Sequence, residues 1–378
     1  MRQNATVQLL VAADDRTGAF ESAAVLADHG LGPIAVTTWP DGGPDADLEV
    51  DVVDLGTRHL GPADAAARAG ALPHARYHAH KIDSTLRGNW AEELAARALT
   101  SPVLLVPALP ALGRTCDGGV VHDHGRPVHE GAAGSDVRRP VVTSRPAESL
   151  AAAGVRDLTA IAHRDELEAW LASPVGVAVA DAHTDEDVDT IVARWASGSD
   201  PVVLAGTSTV VGAAARVAAA GAPPPSLPAV EGPILVVCGS IHPTARRQIR
   251  FAERRGVPVT GIGDDITART LGSRGELILA AEIPVGDATA PMAIASASAL
   301  ARGVHDLSER VELGALIMVG GDTAAAVLGD APAVVHGSVG VGTAWVESEG
   351  FAMPIITRSS GHGADDAVVG LLARLRRG

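Results

Sequence analysis

Short apolar runs rich in Val, Ile, Leu and Ala recur at residues 7–12, 34–37, 50–55, 103–106, 175–180, 202–205, 234–237, 315–319 and 354–357, with helix-length stretches between them. This alternation predicts strand–helix repeats and mostly parallel sheets, an α/β fold. The runs are apolar at consecutive positions rather than at every second one, so helices are expected to cover both faces of each strand. Helices are predicted over residues 18–29 and 245–255 and from about residue 364. The segment Gly221-Ala-Pro-Pro-Pro-Ser-Leu-Pro228 excludes helix and stiffens the chain just before a new strand start. It predicts two α/β domains, residues 1–228 and 229–378. Each half opens alike, with a strand, a polar turn and a helix, at residues 9–19 and 235–245. No fixed repeat period is present.

Composition narrows this picture. A chain of 378 residues has the length of two domains. With 47% hydrophobic but only 2% aromatic residues, the cores must be built from small aliphatic side chains. The formal net charge of −15 disfavours nucleic acid and anionic membranes as partners. A nucleoside triphosphate stays compatible, because backbone amides, a few cations and Mg²⁺ neutralise phosphates locally. Cys116 and Cys238 stand far apart, which supports neither a disulfide framework nor a cysteine zinc site and fits a reducing compartment. The start of the chain lacks a secretory pattern, and no run of 18 apolar residues occurs, so a cytoplasmic location is expected.

The densest chemistry lies in Lys81-Ile82-Asp83-Ser84-Thr85-Leu86-Arg87-Gly88-Asn89. Two cations, a carboxylate, two hydroxyls and a carboxamide suit a small polyhydroxylated acid. The competing reading is a solvated turn with Ser84 or Asn89 capping the next helix. Asp14 and Asp15 close the first strand, the edge where open α/β sheets bind ligands, and could hold substrate hydroxyls, although one of them is expected to cap the following helix. Arg58, after the third strand, could clamp a carboxylate with two parallel hydrogen bonds. The turn-rich connection over residues 107–119 adds Arg114 and Asp117 as candidates. His122, Asp123, His124, His129 and Glu130 suggest a metal site, but their spacing matches no helical HExxH pattern, and a solvated loop or hairpin is the stronger reading.

Three glycine-rich turns mark the second half: Gly239-Ser240, Gly320-Gly321-Asp322-Thr323 and Ser359-Ser360-Gly361-His362-Gly363. Each follows an apolar run, where free amides and hydroxyls suit phosphate oxygens. Gly337-Ser-Val-Gly-Val-Gly342 reads as a loop that could lie over a nucleotide. No Gly-x-Gly-x-x-Gly fingerprint follows a strand, and neither a Walker motif nor a Gly-x-Ser-x-Gly elbow occurs, which disfavours a standard dinucleotide site, a P-loop and a serine hydrolase.

In combination these motifs resemble the four-carbon acid sugar kinase family, nearly end to end. Residues 13–19 are similar to its Ala-Asp-Asp-x-Thr-Gly-Ala opening and residues 81–89 to its Lys-x-Asp-Ser-Thr-x-Arg-Gly-Asn signature. Gly113-Arg114-Thr115, Gly239-Ser240, residues 320–323 and residues 360–363 follow in the family's order. Arg358 stands where lysine is expected and His362 where phenylalanine is expected.

The resemblance implies an N-terminal sugar-acid domain, a C-terminal ATP domain with the active site in the cleft between them, and transfer of phosphate to the terminal hydroxyl of threonate, erythronate or a 3-oxo-tetronate. By position, Asp14 or Asp15, Arg58, Arg114 and Lys81, Ile82, Asp83 and Ser84 would hold the acid. Ser240, Gly320, Gly321, Asp322, Thr323 and Gly361 would hold ATP, with Mg²⁺ bridging the phosphates. In the expected mechanism Arg58, Lys81 and Arg87 orient the acid, while Asp15 or Asp83 accepts the hydroxyl proton. Small-molecule partners are expected, a homodimer is compatible, and the alternative is a sugar-acid sensor that kept the fold without the transfer step.

Overall fold

The apolar runs become strands because a segment without a polar face is stable only when covered on both sides. A computed structural model describes residues 9–39, 50–136, 138–198, 200–218, 227, 229–261, 265–281 and 289–377. The chain divides into two units, Met1–Pro223 and Pro224–Gly378. Apart from Leu227, the proline-rich segment 221–228 lies outside the described residues.

The first unit carries β1 (Leu9–Ala13), β2 (Ile34–Thr38), β3 (Val50–Asp54), β4 (Tyr77–Lys81) and β5 (Val103–Val106). A small antiparallel sheet follows, β6 (Arg114–Asp117), β7 (Val120–Asp123) and β8 (Arg126–Pro127), and then β9 (Leu158–Ile161), β10 (Val177–Ala180) and β11 (Val203–Gly206). Among the described residues the main sheet runs β2-β3-β1-β4-β11-β5-β10-β9 with every pairing parallel. Its helices are α1 (Arg16–Leu26), α2 (Pro62–Gly70), α3 (Trp90–Ala98), α4 (Pro146–Ala152), α5 (Arg164–Ala172), α6 (Asp185–Ala196) and α7 (Ser208–Ala218). Capping boxes start α5 and α6, and proline opens α2 and α4 where its missing N–H costs nothing.

The second unit carries β12 (Ile234–Cys238), α8 (Pro243–Arg254), β13 (Val259–Thr260), α9 (Asp265–Arg274), β14 (Glu276–Ala280), α10 (Ala290–Arg310), β15 (Ala315–Val319) and α11 (Gly321–Leu328). β16 (Ala333–Gly340), β17 (Thr343–Ser348), β18 (Ile355–Arg358) and α12 (Ala367–Leu375) complete it. Strands β13-β14-β12-β15-β18 are parallel, and β17 and β16 extend them antiparallel. Its core joins Val236, Ile278, Ile317 and Ile356 from the sheet to Ile249, Val368 and Leu372 from the helices.

β4 and the glycine-rich segment 337–342 differ from the sequence expectation, each for a physical reason. β4 reads Tyr-His-Ala-His-Lys and lacks an apolar run, yet it is buried, because α3 supplies partners for its polar residues. His80 Nε2 lies 2.8 Å from Glu93 Oε2, and Arg97 Nη2 lies 3.0 Å from His78 Nδ1. The glycine-rich segment 337–342, expected as a loop, instead continues β16 to Gly340. It turns there through positive φ at Gly340 and Gly342 into the antiparallel partner β17. The His122–Glu130 stretch forms the β7–β8 hairpin, and among the described residues no group of three or more His, Cys, Asp or Glu could hold a metal ion.

Candidate active site

In each unit the chain leaves two neighbouring strands toward opposite edges of the sheet: β1 toward β2 and β4 toward β5 in the first, and β12 toward β13 and β15 toward β16 in the second. At such a point the connections leave on opposite faces, and a crevice opens beyond the carboxyl ends of the two strands.

In the first unit Asp14 and Asp15 follow β1, while Lys81 closes β4, paired in register with Ala13. Asp15 caps α1, its Oδ1 accepting the Gly18 N–H at 2.7 Å. Asp14 is fully buried and is gripped by Arg58, whose Nε and Nη2 donate to Oδ2 and Oδ1, each at 2.8 Å. The third guanidinium nitrogen, Nη1, donates to Asp15, and Nη2 lies 3.6 Å from Asp83 Oδ1. Arg58 thus makes the two parallel bonds expected of it, but to a carboxylate of its own chain. Two adjacent acids at a dry strand end require a nearby cation.

Asp83 accepts a second such fork, Arg87 Nε at 3.0 Å and Nη2 at 2.8 Å, together with the Thr85 hydroxyl. The loop closes through positive φ at Leu86 (65°) and Gly88 (93°). Leu86 tolerates this because its side chain is buried and its carbonyl accepts the Trp90 indole N–H at 2.9 Å. A Cβ at Gly88 would come within 2.9 Å of Asp14 Oδ2, so glycine is needed for the loop to lie against that carboxylate.

Environment separates the acids. Burial pushes Asp14 up to about 6 against the pull of Arg58, with Asp15 adding to the rise. Burial also acts to raise Asp83, but Arg87 and Arg58 outweigh it and hold that carboxyl well below the usual range. Asp54, at the end of β3, is pushed up to about 7 by burial despite Arg16.

The remaining predicted groups gather nearby. Arg114 Nη1 donates to Ser84 Oγ at 3.2 Å. Lys81 Nζ donates to the Ile82 carbonyl at 3.0 Å and lies 3.6 Å from Glu21 Oε2, whose other oxygen accepts the Ser208 hydroxyl. Ile82 contributes its side chain to the core and its N–H to Gly206 O. Asn89 precedes α3 without a side-chain cap bond. It donates instead to the Thr57 and Leu60 carbonyls and so fixes the segment bearing Arg58, with Arg139 on its amide oxygen. Glu21, Asp54 and Arg139 escaped the sequence reading, because isolated charges in helices and strand ends look like surface residues. The cluster places carboxylates beside guanidinium, ammonium and hydroxyl donors, a set able to bind a hydroxylated anion.

In the second unit the three glycine turns meet. The Gly239 N–H donates to Thr323 Oγ1 at 3.0 Å, and a Cβ at Gly239 would lie 2.7 Å from that oxygen. A Cβ at Gly320, where φ is +107°, would lie 3.4 Å from Ser240 Cβ and 3.8 Å from Ser360 Cβ, and one at Gly361 would lie 3.5 Å from His242 Nε2. Ser240, Gly320, Thr323 and Gly361 therefore line one edge. Gly321 and an exposed Asp322 open α11 there. Absent side chains leave backbone within reach of a ligand, which fits phosphate oxygens. Arg358 is buried and structural, its Nη1 donating to Gln248 Oε1 at 2.8 Å and its Nη2 to the His362 carbonyl at 2.9 Å. Gln248 Nε2 also donates to the carbonyls of His362, Gly363 and Ala364, so the two side chains hold the third turn in place.

The chain is thus an α/β protein with a carboxylate–guanidinium constellation in one unit and clustered glycine turns in the other, and comparison with known proteins defines its class. Residues 9–214 match the family described as sugar-binding N-terminal domain. A D-threonate kinase of Bordetella bronchiseptica is 30% identical, the match covering 95% of each chain. A D-threonate kinase of Cupriavidus necator is 34% identical over 66% of this chain and 64% of its own length. A Salmonella typhimurium LT2 protein of known crystal structure shares the fold, with a TM-score of 0.73 at 19% identity over 98% of this chain and 99% of its own. The chain belongs to the four-carbon acid sugar kinase family. Among the described residues no helix is long and apolar enough to cross a membrane.

Proposed function

We propose that this chain is an ATP-dependent kinase that phosphorylates the terminal hydroxyl of a four-carbon sugar acid, D-threonate being the first candidate because relatives of that name match over most of the chain. Phosphoryl transfer needs positioning and charge neutralisation more than covalent help. Lys81, Ser84, Arg87 and Arg114 bind the acid through its carboxylate and hydroxyls. Arg58 neutralises the buried Asp14 and holds Asp15 in place beside those hydroxyls. Asp83 is the proton acceptor: Arg87 and Arg58 hold it ionised across the working range, and a weak base suffices when the proton leaves late in a loose transition state.

Ser240, Gly320, Gly321, Thr323 and Gly361 cradle the nucleotide phosphates. Asp322 supplies a carboxylate at the same edge, the oxygen ligand type that Mg²⁺ takes together with phosphates. Bound there, Mg²⁺ would neutralise charge on the β and γ oxygens.

The observation that carries this reading is the meeting of the three glycine turns at one switch point, in a chain whose other switch point holds the Asp14–Arg58–Asp83–Arg87 constellation. The test is ADP release from ATP and Mg²⁺ with D-threonate, D-erythronate and their 3-oxo forms offered separately. Release that depends on one of these acids, and is lost on chelation of the metal, supports the reading. ATP hydrolysis indifferent to every acid, or acid binding without turnover, contradicts it.

A further inference from the structure

Helix α8 begins just beyond β12, and its fourth residue is a buried cation with no acid partner among the described residues. Arg246 is 8% exposed. Its Nη1 donates to the Ala281 carbonyl at 2.7 Å, while Nε and Nη2, both buried, have no hydrogen-bond partner among the described residues. Those two nitrogens form the side-on edge of a guanidinium, the edge with which Arg58 grips Asp14 and Arg87 grips Asp83. In Arg246 that edge makes no hydrogen bond to the described residues. Burial lowers its pKa, and the group opposing the shift is the Cys238 thiol rather than a carboxylate.

The position of this free edge is defined. Ala281 continues β14 and donates its N–H to the Cys238 carbonyl at 2.9 Å, so the Arg246 guanidinium is anchored at the carboxyl ends of β12 and β14. The same β12–α8 connection carries Gly239 and Ser240 toward Gly320 on the other side of β12. His242 caps α8, its ring accepting the Thr244 N–H at 3.2 Å, and the twelve-residue helix directs its positive end to this edge. A helix N-terminus and an unpaired buried guanidinium fork both call for an anion with at least two oxygens.

We propose that Arg246 is a phosphate-binding residue: Nε and Nη2 together take two oxygens of one phosphate group of the nucleotide, with the Ala281 carbonyl fixing the plane of the fork through Nη1. The assignment rests on the kinase reading of this unit and extends it, since the glycine turns supply neutral donors and Arg246 supplies charge. No bond is made or broken in this role.

The test is calorimetric titration of wild type, Arg246→Gln and Arg246→Lys with adenosine, AMP, ADP and ATP. Charge-assisted fork bonds predict that Arg246→Gln weakens ADP and ATP roughly tenfold or more while adenosine changes less than about twofold. Arg246→Lys, which keeps the charge and loses the fork, falls between. Should Arg246→Gln fail to fold, Arg246→Lys carries the comparison. Equal weakening of adenosine and ATP would assign Arg246 a structural role and overturn the proposal, as would unchanged affinity throughout. Wild type that binds none of the four ligands would instead overturn the kinase reading itself.

Discussion

Replacing Arg58 with alanine removes the cation on which two carboxylates depend, and its cost follows from the burial of Asp14. Asp14 is 0% exposed, and burial pushes it up to about 6 even with the Arg58 fork in place. Its charged form is therefore already costly at neutral pH. Breaking a buried ion pair by deleting one partner costs about 3–5 kcal/mol, because the remaining charge stays dry and unpaired. The sign with pH is fixed. A carboxyl whose folded pKa exceeds its unfolded value contributes stability that is complete below the unfolded value and lost as pH rises through the folded one. Without Arg58 the folded value climbs further, so the loss extends above pH 6. Urea unfolding of wild type and Arg58→Ala at pH 5 and pH 8 measures this. The variant is expected to lose at least about 2 kcal/mol more at pH 8 than at pH 5, and Asp14→Asn added to it should recover most of that difference. An equal loss at both pH values, or no recovery, would refute the assignment of Asp14 as a buried charge sustained by Arg58.

Asp83→Asn should lower kcat by roughly 10²–10⁴-fold while leaving ATP affinity within about twofold; retained turnover in a steady-state assay removes Asp83 from the mechanism. Asp54, pushed up to about 7, also contributes stability that fades as pH rises from about 4 through 7. Thermal melts of Asp54→Asn should therefore show a flatter pH dependence between pH 5 and 8 than wild type, and an unchanged slope would count against that assignment. Gly320→Ala places a side chain at φ +107°, ψ 141°, a region open almost only to glycine, and should cost about 1–3 kcal/mol in unfolding experiments with a parallel loss of nucleotide affinity. A stable variant with normal ATP binding would exclude the Gly320 turn from the site.

The sequence made legible whatever depends on local pattern. Strands such as Leu9–Ala13 and Ala315–Val319 are apolar on both faces, so their burial in parallel sheets could be read directly. Asp14, Asp15 and Lys81–Asn89 were recognisable because polar clusters at strand ends have no role in a core. Pairing across the fold was not legible. Nothing local in Tyr77–Lys81 shows that Glu93 and Arg97 on α3 will meet its histidines, and nothing near Arg58 shows that Asp14 will occupy its fork. Arg246 illustrates the limit most clearly. Arg246, Arg247, Arg250 and Arg254 read alike along α8, yet Arg247 is exposed and pairs with Asp365, whereas Arg246 turns inward beside Cys238. Segment 337–342 misled because glycine serves a hairpin turn as readily as it serves a nucleotide loop.

Proton-coupled phosphorus NMR of the protein with ATP, Mg²⁺ and a four-carbon acid reads most directly where the phosphate goes. The predicted result is an acid-dependent phosphomonoester signal, appearing with ADP and split into a triplet by the two hydrogens of the terminal carbon. A doublet from a secondary carbon, or ADP accompanied only by inorganic phosphate, would contradict it.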